Sequence, residues 1–264
     1  MKNTYGEFYF ENEKNYPASV YWDFYDKNPQ DAIRKYIGHI FCPLCNLAPL
    51  TVANGNKLRY FKVIESDRDK HDLFCSYRHD KANKKETEKF YEDLDRSDIE
   101  NRLVSCMNKM LKSINKKEVG NSEKINTKTK STKDFFTITT TGNKKKYLPH
   151  KSLYSNNLDD EIDVTKIYYG KCAVYLYKYI AKDEKEVKAY YLKILHSETK
   201  KQICDISISP YIYKYLEDIL ALIPTDKKDA RNYYLCFAVR MEKKDYSYNC
   251  RLKDSRVIEF EREL

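Results

Sequence analysis

The spacing of four side chains constrains this chain more than any other feature. Cys42-Pro43-Leu44-Cys45 is followed 25 residues later by His71-Asp72-Leu73-Phe74-Cys75, giving C-x2-C-x25-H-x3-C. His79 stands a further x3 beyond Cys75. The other cysteines, at 106, 172, 204, 236 and 250, form no close pair. Residues Met1 to Asn15 are acidic and aromatic, without the basic and then apolar regions of a secretory signal, so a cytoplasmic protein is expected. In that compartment thiols stay reduced, and a close Cys pair reads as metal ligands rather than as half of a disulfide framework.

Two thiolates in a tight knuckle can approach one ion from adjacent positions. A His/Cys pair at i, i+4 on one helical turn can supply the other two ligands. Four such donors in a tetrahedron suit Zn2+ and leave no open coordination position, so a structural rather than a hydrolytic site is expected. The expected ligands are Cys42, Cys45, His71 and Cys75. His79 fits the spacing as well as His71 does; His71 is favoured because Phe74 and Tyr77 would then face a small core while Arg78, His79, Asp80 and Lys81 are solvated. Between the ligand pairs, Ala48 to Ile64 reads as a hairpin turning at Asn54-Gly55-Asn56. Leu58, Tyr60 and Lys62 alternate there with Arg59, Phe61 and Val63, as in a half-buried strand. The expected module is of zinc-ribbon or treble-clef type.

Ile40-Phe41-Cys42-Pro43-Leu44-Cys45, then Arg59-Tyr60-Phe61-Lys62, then His71 and Cys75-Ser76-Tyr77, resemble in order the N-terminal zinc segment of competence CoiA-like proteins. The resemblance covers residues 36–92. It departs where Tyr60-Phe61-Lys62-Val63 stands in place of a His-Phe-Ala-His signature. The resemblance implies a role in DNA processing, as a nuclease or nuclease accessory. The family's downstream nuclease-like domain has no counterpart in this sequence, so its activity is not carried over.

From Lys84 to Ile114, Phe90, Leu94, Ile99, Leu103, Met107, Met110, Leu111 and Ile114 recur every three to five residues, which predicts one or two helices packed on the zinc module. Cys106 beside that stripe reads as a small buried hydrophobe. Tyr21, Trp22, Phe24 and Tyr25 are expected to seed the core of residues 1–114. Residues 115–163 change character. Thr, Asn, Ser and Lys dominate 121–141, and a basic stretch from Lys116 to Lys151 gives way to Asp159, Asp160, Glu161 and Asp163. This composition predicts a largely disordered linker, in which Lys144 to Lys151 could order on phosphate.

Period-two patterning begins near residue 164 and predicts strands over 166–180, 188–196, 201–209, 232–241 and 246–253. Between the third and fourth, Ser209-Pro210 opens a helix with Tyr211, Ile212, Tyr215, Leu216, Ile219, Leu220 and Ile223 at helical spacing, stopped by Pro224. Five strands with one helix after the third is the order of an OB-like β-barrel. The fold class expected for the whole is therefore α+β: a zinc module with helices over 1–114, a linker over 115–163, and an OB-like barrel over 164–264.

Within the first of these strands, Tyr168, Gly170, Cys172, Val174, Leu176 and Ile180 form one face, and Tyr169, Lys171, Ala173, Tyr175, Tyr177 and Tyr179 the other. Tyr191 and Lys193 alternate likewise with Tyr190, Leu192 and Ile194. The chain has 25 Tyr and a net charge of +9. AT-rich coding alone could inflate Tyr and Lys, but their alternation on one strand face is positional. Net charge is +1 over 1–114, +3 over 115–163 and +5 over 164–264. Rings that stack bases beside cations that hold phosphates are what a single-strand binder needs. The candidate nucleic-acid residues are Tyr175, Tyr177, Tyr191, Lys193, Arg240, Arg251 and Lys253.

Only 6 Gly are present, too few for a Walker or dinucleotide loop in this sequence, and neither G-x-S-x-G nor H-E-x-x-H occurs. Asp205 with Lys193 is the nearest approach to a metal-assisted nuclease centre. No run approaches the roughly 18 apolar residues needed to span a bilayer. The expectation is a non-enzymatic nucleic-acid-binding protein, with a nuclease role or a protein-recruitment adaptor as alternatives.

Overall fold

The computed structural model describes residues 4–263 apart from 12, 56–57, 119–135, 141, 154–157, 159–161, 183–185 and 246. The chain is a mixed α+β protein divided into two compact units. The first falls within Met1–Asn83 and Phe136–Leu148, and the second within Lys84–Phe135, Pro149–Leu153 and Leu158–Leu264.

In the first unit, β1 (Glu7–Phe10) and β2 (Asn15–Pro17) form a hairpin, and β3 (Ile40–Phe41) pairs on the other side of β1. Helices α1 (Ala18–Lys27) and α2 (Pro29–Tyr36) lie between β2 and β3. Asn28 caps α2 by accepting from Asp31 N–H, with Pro29 pre-set in the first turn. Gly38, at φ 89°, turns the chain from α2 into β3. Strands β4 (Thr51–Asn54) and β5 (Arg59–Lys62) make the expected hairpin, in which only Phe61 of β5 is fully buried. Phe61 is the hub of the core. Phe8 and Tyr21 meet it edge-on at 5.3 and 5.4 Å, and Trp22 stacks on it at 5.7 Å.

A third small sheet joins β6 (Asp80–Lys81) in parallel to β8 (Lys145–Tyr147), which pairs antiparallel with β7 (Thr137–Thr139). These last two strands overturn part of the linker expectation. Phe136, Ile138, Tyr147 and Leu148 are buried, but these few apolar residues stand among so many Lys and Thr that the short alternation Phe136-Thr137-Ile138-Thr139 does not stand out as a strand. The expected disorder near 116–134 falls almost wholly outside the described residues.

The second unit begins with α3 (Lys84–Asp93) and α4 (Arg96–Glu118), where one or two helices were expected. Their partner differs from the expectation. Helix α4 packs on the large sheet of its own unit, so the boundary anticipated at 114 falls between 83 and 84. The apolar stripe of α4 specified a buried face, but nothing in it specified which core would receive it. That sheet contains β9 (His150–Ser152), β10 (Lys166–Ile180), β11 (Val187–His196), β12 (Gln202–Ile208), β13 (Arg231–Val239), β14 (Glu242–Lys244), β15 (Ser247–Arg251) and β16 (Ile258–Arg262). Its order is β14-β15-β12-β11-β10-β13-β16, with β9 parallel to β10. Three of its strands lie outside the five expected, and among the described residues no pairing joins the two ends of the path.

On one face, Tyr168, Cys172, Val174, Leu176, Leu192, Ile194, Cys204, Ile206, Leu235, Phe237 and Cys250 form a continuous core. Gly170, opposite Leu235 at φ 147°, bends β10 in a backbone state that other residues rarely adopt. The core is closed by α5 (Pro210–Tyr215) and α6 (Glu217–Leu220), which bury Ile212, Leu216 and Leu220. Ser209 Oγ accepts from Ile212 N–H, the expected cap. The single helix expected here is broken in two at Leu216, whose φ of -113° and ψ of 6° leave the helical range. On the opposite face α4 packs on β13, β16 and β10, with Cys106 of the helix and Cys236 of the sheet both buried. Ala173, expected on the open face, is fully buried between its ladder partners Leu195 and Asn232, whereas Ile180, expected in the core, is half exposed at the end of β10.

Candidate metal centre and candidate nucleic-acid face

The CPLC segment leaves β3 as a tight knuckle. Cys42 N–H donates to Ala48 O at 2.8 Å, and Asn46 N–H returns to Cys42 O at 2.9 Å. Asn46 takes the left-handed conformation, φ 62°, that this return requires, and Asn is among the few residues that tolerate it. Asn15 Nδ2 donates to Pro43 O at 2.9 Å and ties the knuckle to β2.

The second ligand pair lies in a loop between two 3-10 turns, Glu65–Lys70 and Ser76–Arg78. His71 and Cys75 are thus not on one helical turn as expected. They are brought close by a turn in which Cys75 N–H donates to Asp72 O, and Asp72 Oδ1 accepts from Phe74 N–H. That geometry throws Phe74 outward, 54% exposed, contrary to the expectation that it enters the core. Tyr77 does pack against the core. Arg78 holds the loop by donating to His71 O at 3.2 Å and pairing with Asp69 at 2.9 Å.

One donor atom from each of Cys42, Cys45, His71 and Cys75 lies within 4.8 Å of all the others, a set that could hold a metal ion. It is the one such group among the described residues, and His79 is not part of it. The Sγ atoms of Cys42 and Cys75 are 3.8 Å apart, and Cys45 Sγ is 3.4 Å from His71 Nδ1. The three thiols differ widely in acidity. Hydrogen bonds from Cys42 and then Cys75 pull the Cys45 thiol far below its ordinary range, against the effect of burial. Burial drives Cys42 well above it. Cys75 is pulled down by Cys42, but its hydrogen bond to Cys45 and its burial outweigh this and leave it at about 12. Three sulfurs around one point, two of them buried and one part-buried, carry full thiolate charge only when a cation compensates them.

On the sheet of the second unit, five of the seven candidate nucleic-acid residues share one face. Residues directly opposite in a ladder point the same way. The register places Tyr175, Lys193, Asp205 and Asn249 in one row across β10, β11, β12 and β15. Tyr177, Tyr191, Ser207 and Arg251 form the next row across the same strands. The rings of Tyr177 and Tyr191 are 6.4 Å apart, and Lys193 Nζ lies 5.5 Å over the Tyr191 ring. Lys253 is exposed just past the end of β15. Arg240 is not brought to this face. It follows Val239, which pairs with Lys166 at the opposite end of β10, roughly 30 Å from Tyr175 at ~3.3 Å per residue.

Asp205 is the acidic member that the aromatic pattern did not flag. Its side chain is 9% exposed and accepts from Lys193 Nζ at 2.5 Å and from Gln202 Nε2 at 2.8 Å. Lys193 is thereby neutralised in part within the face. Comparison of the chain with models of protein families, with curated proteins and with solved structures gives no match.

Proposed function

We propose that the chain is a non-enzymatic nucleic-acid-binding protein of the cytoplasm that takes single strands on the open face of its large sheet. The observation that carries this reading is the pair of cross-strand rows, Tyr175-Lys193-Asp205-Asn249 and Tyr177-Tyr191-Ser207-Arg251. Bases stack on the tyrosines, while Arg251, Lys253 and the part of the Lys193 charge that Asp205 leaves uncompensated meet phosphates. The OB-like reading of the sheet is supported by its connections. Three antiparallel strands are followed by helices, a return to the free edge of β10, and β15 laid parallel on β12, as in a partly open Greek-key barrel. In the first unit a structural Zn2+ in a ribbon or treble-clef-like setting is supported by the donor set, three thiols and one imidazole.

Fluorescence anisotropy with labelled 20-mers of oligo-dT and oligo-U, against a blunt DNA duplex, tests the reading. Single strands are expected to bind with micromolar or tighter affinity at about 50 mM salt and to weaken steeply as salt rises. No anisotropy change with any strand at that salt sinks the proposal. Cleavage of the labelled strands in the presence of Mg2+ would favour the nuclease alternative.

A further inference from the structure

The geometry points to Tyr5 as the outer-shell residue that fixes how His71 meets the metal: the ion is held through Nδ1, and Nε2–H donates to the Tyr5 hydroxyl. This inference rests on the metal reading of the Cys42, Cys45, His71, Cys75 cluster. His71 turns Nδ1 toward Cys45 Sγ, at 3.4 Å, which leaves Nε2 on the far side of the ring, 3.3 Å from Tyr5 Oη. Both Tyr5 and His71 are buried, at 3% and 3% exposure, so this contact has no solvent to replace it. A ligating imidazole is neutral, so once the metal takes Nδ1 the proton resides on Nε2 and requires an acceptor. The tyrosine oxygen supplies that acceptor.

Tyr5 is itself held on three sides. Its N–H donates to Phe61 O at 3.1 Å, forming an isolated bridge to β5. Its ring meets Tyr77 edge-on at 4.7 Å, two residues past Cys75. One residue before β1 thus touches the hairpin between the ligand pairs and the loop that carries the second pair. Metal loading consequently reaches the N-terminal segment, which carries none of the four ligands.

Zn2+ competition against a chromophoric chelator, with the full chain, reads the prediction directly. Tyr5→Phe keeps the ring and loses the acceptor, and is expected to weaken Zn2+ binding 10- to 100-fold. Tyr16→Phe, which removes an exposed hydroxyl bonded to Glu13 on the same sheet, is expected to change it less than about two-fold, the ordinary scale for an exposed group. Nitrogen-15 NMR of His71 in the Zn2+-loaded protein should show a metallated Nδ1 and a protonated Nε2. A metallated Nε2, or Tyr5→Phe affinity equal to wild type, overturns the role of Tyr5 while leaving the metal site standing. Wild-type protein that takes up no Zn2+ overturns both.

Discussion

The two units are ordered by different means. In the first, strands are two to four residues long, and the core is mainly aromatic rings gathered on Phe61, with Ile40, Leu50 and the thiols of Cys42 and Cys75 beside them. In the second, a strand of 15 residues runs through an eight-stranded sheet whose core is a continuous aliphatic and aromatic layer. Short hairpins are marginal alone in water, so under the metal reading proposed above the first unit depends on its four-ligand centre in a way that the second does not. The contrast under that reading is between a fold closed by coordination and one closed by buried area.

The sharpest way to break that contrast is to remove the metal. Chelation, or Cys75→Ser, is expected to unfold the first unit, since in small metal-closed domains binding and folding are coupled on a scale of about 10–16 kcal/mol. Trp22, the single tryptophan, stacks on Phe61 and reports on this unit alone. Its emission should shift red while amides of β10 and β13 keep their protection from hydrogen exchange. Joint loss of both units, or loss of neither, breaks the comparison.

The converse change is Leu192→Ala, which opens a cavity in the fully buried layer of the second unit and should cost about 2–5 kcal/mol. Urea denaturation would show it as a lower midpoint for the sheet. One equivalent of bound metal and an unchanged Trp22 signal under native conditions are expected to persist. Smaller again are changes on the open face. Tyr177→Ala and Tyr191→Ala should each weaken single-strand binding by about 1–3 kcal/mol, while Arg240→Ala, at the far end of β10, should alter it less than about two-fold. Equal losses in all three variants would detach binding from the two rows.

The smallest expected effect is electrostatic. Lys171, and after it Asn232, hold the Glu263 carboxyl below its ordinary value of 4.5, against partial burial. A depressed folded-state pKa stabilises above the unfolded value and loses that contribution as pH falls through the folded one. Between pH 6 and 3 the wild type should therefore lose more stability than Glu263→Gln. The excess is at most about 1 kcal/mol, because both partners are roughly a third exposed and screened. Urea titrations at the two pH values measure it.

How far the sequence could be read follows the same division. The ligands were legible because four donors must converge on one point, and that leaves a spacing. Their local backbone was not, since His-x3-Cys fits a helical turn as well as the loop around Asp72 that forms. In the sheet, period-two patterning identified the core face of β10 from Tyr168 to Leu176. It failed at Ala173, because a small side chain in the middle of the sheet, paired with Leu195 and Asn232, is buried on either face and the alternation is lost there. The strands β7 and β8 were hidden by a Lys- and Thr-rich composition that resembles a solvated tail. Tyr5 left no signal at all, being one tyrosine among many until the fold brings it to His71.

The chain path between the units has a consequence for how the protein could be inherited or shortened. Residues up to 83 belong to the first unit, 84–118 to the second, 136–148 to the first again, and 149–153 to the second. No single cut therefore separates them. A fragment ending at 114 carries α4 without its sheet, and one starting at 164 leaves the faces of β13 and β16 that α4 covers facing water. Recombination that exchanges one unit between chains must use several crossovers at once, so the two units are expected to travel through evolution as one indivisible gene segment.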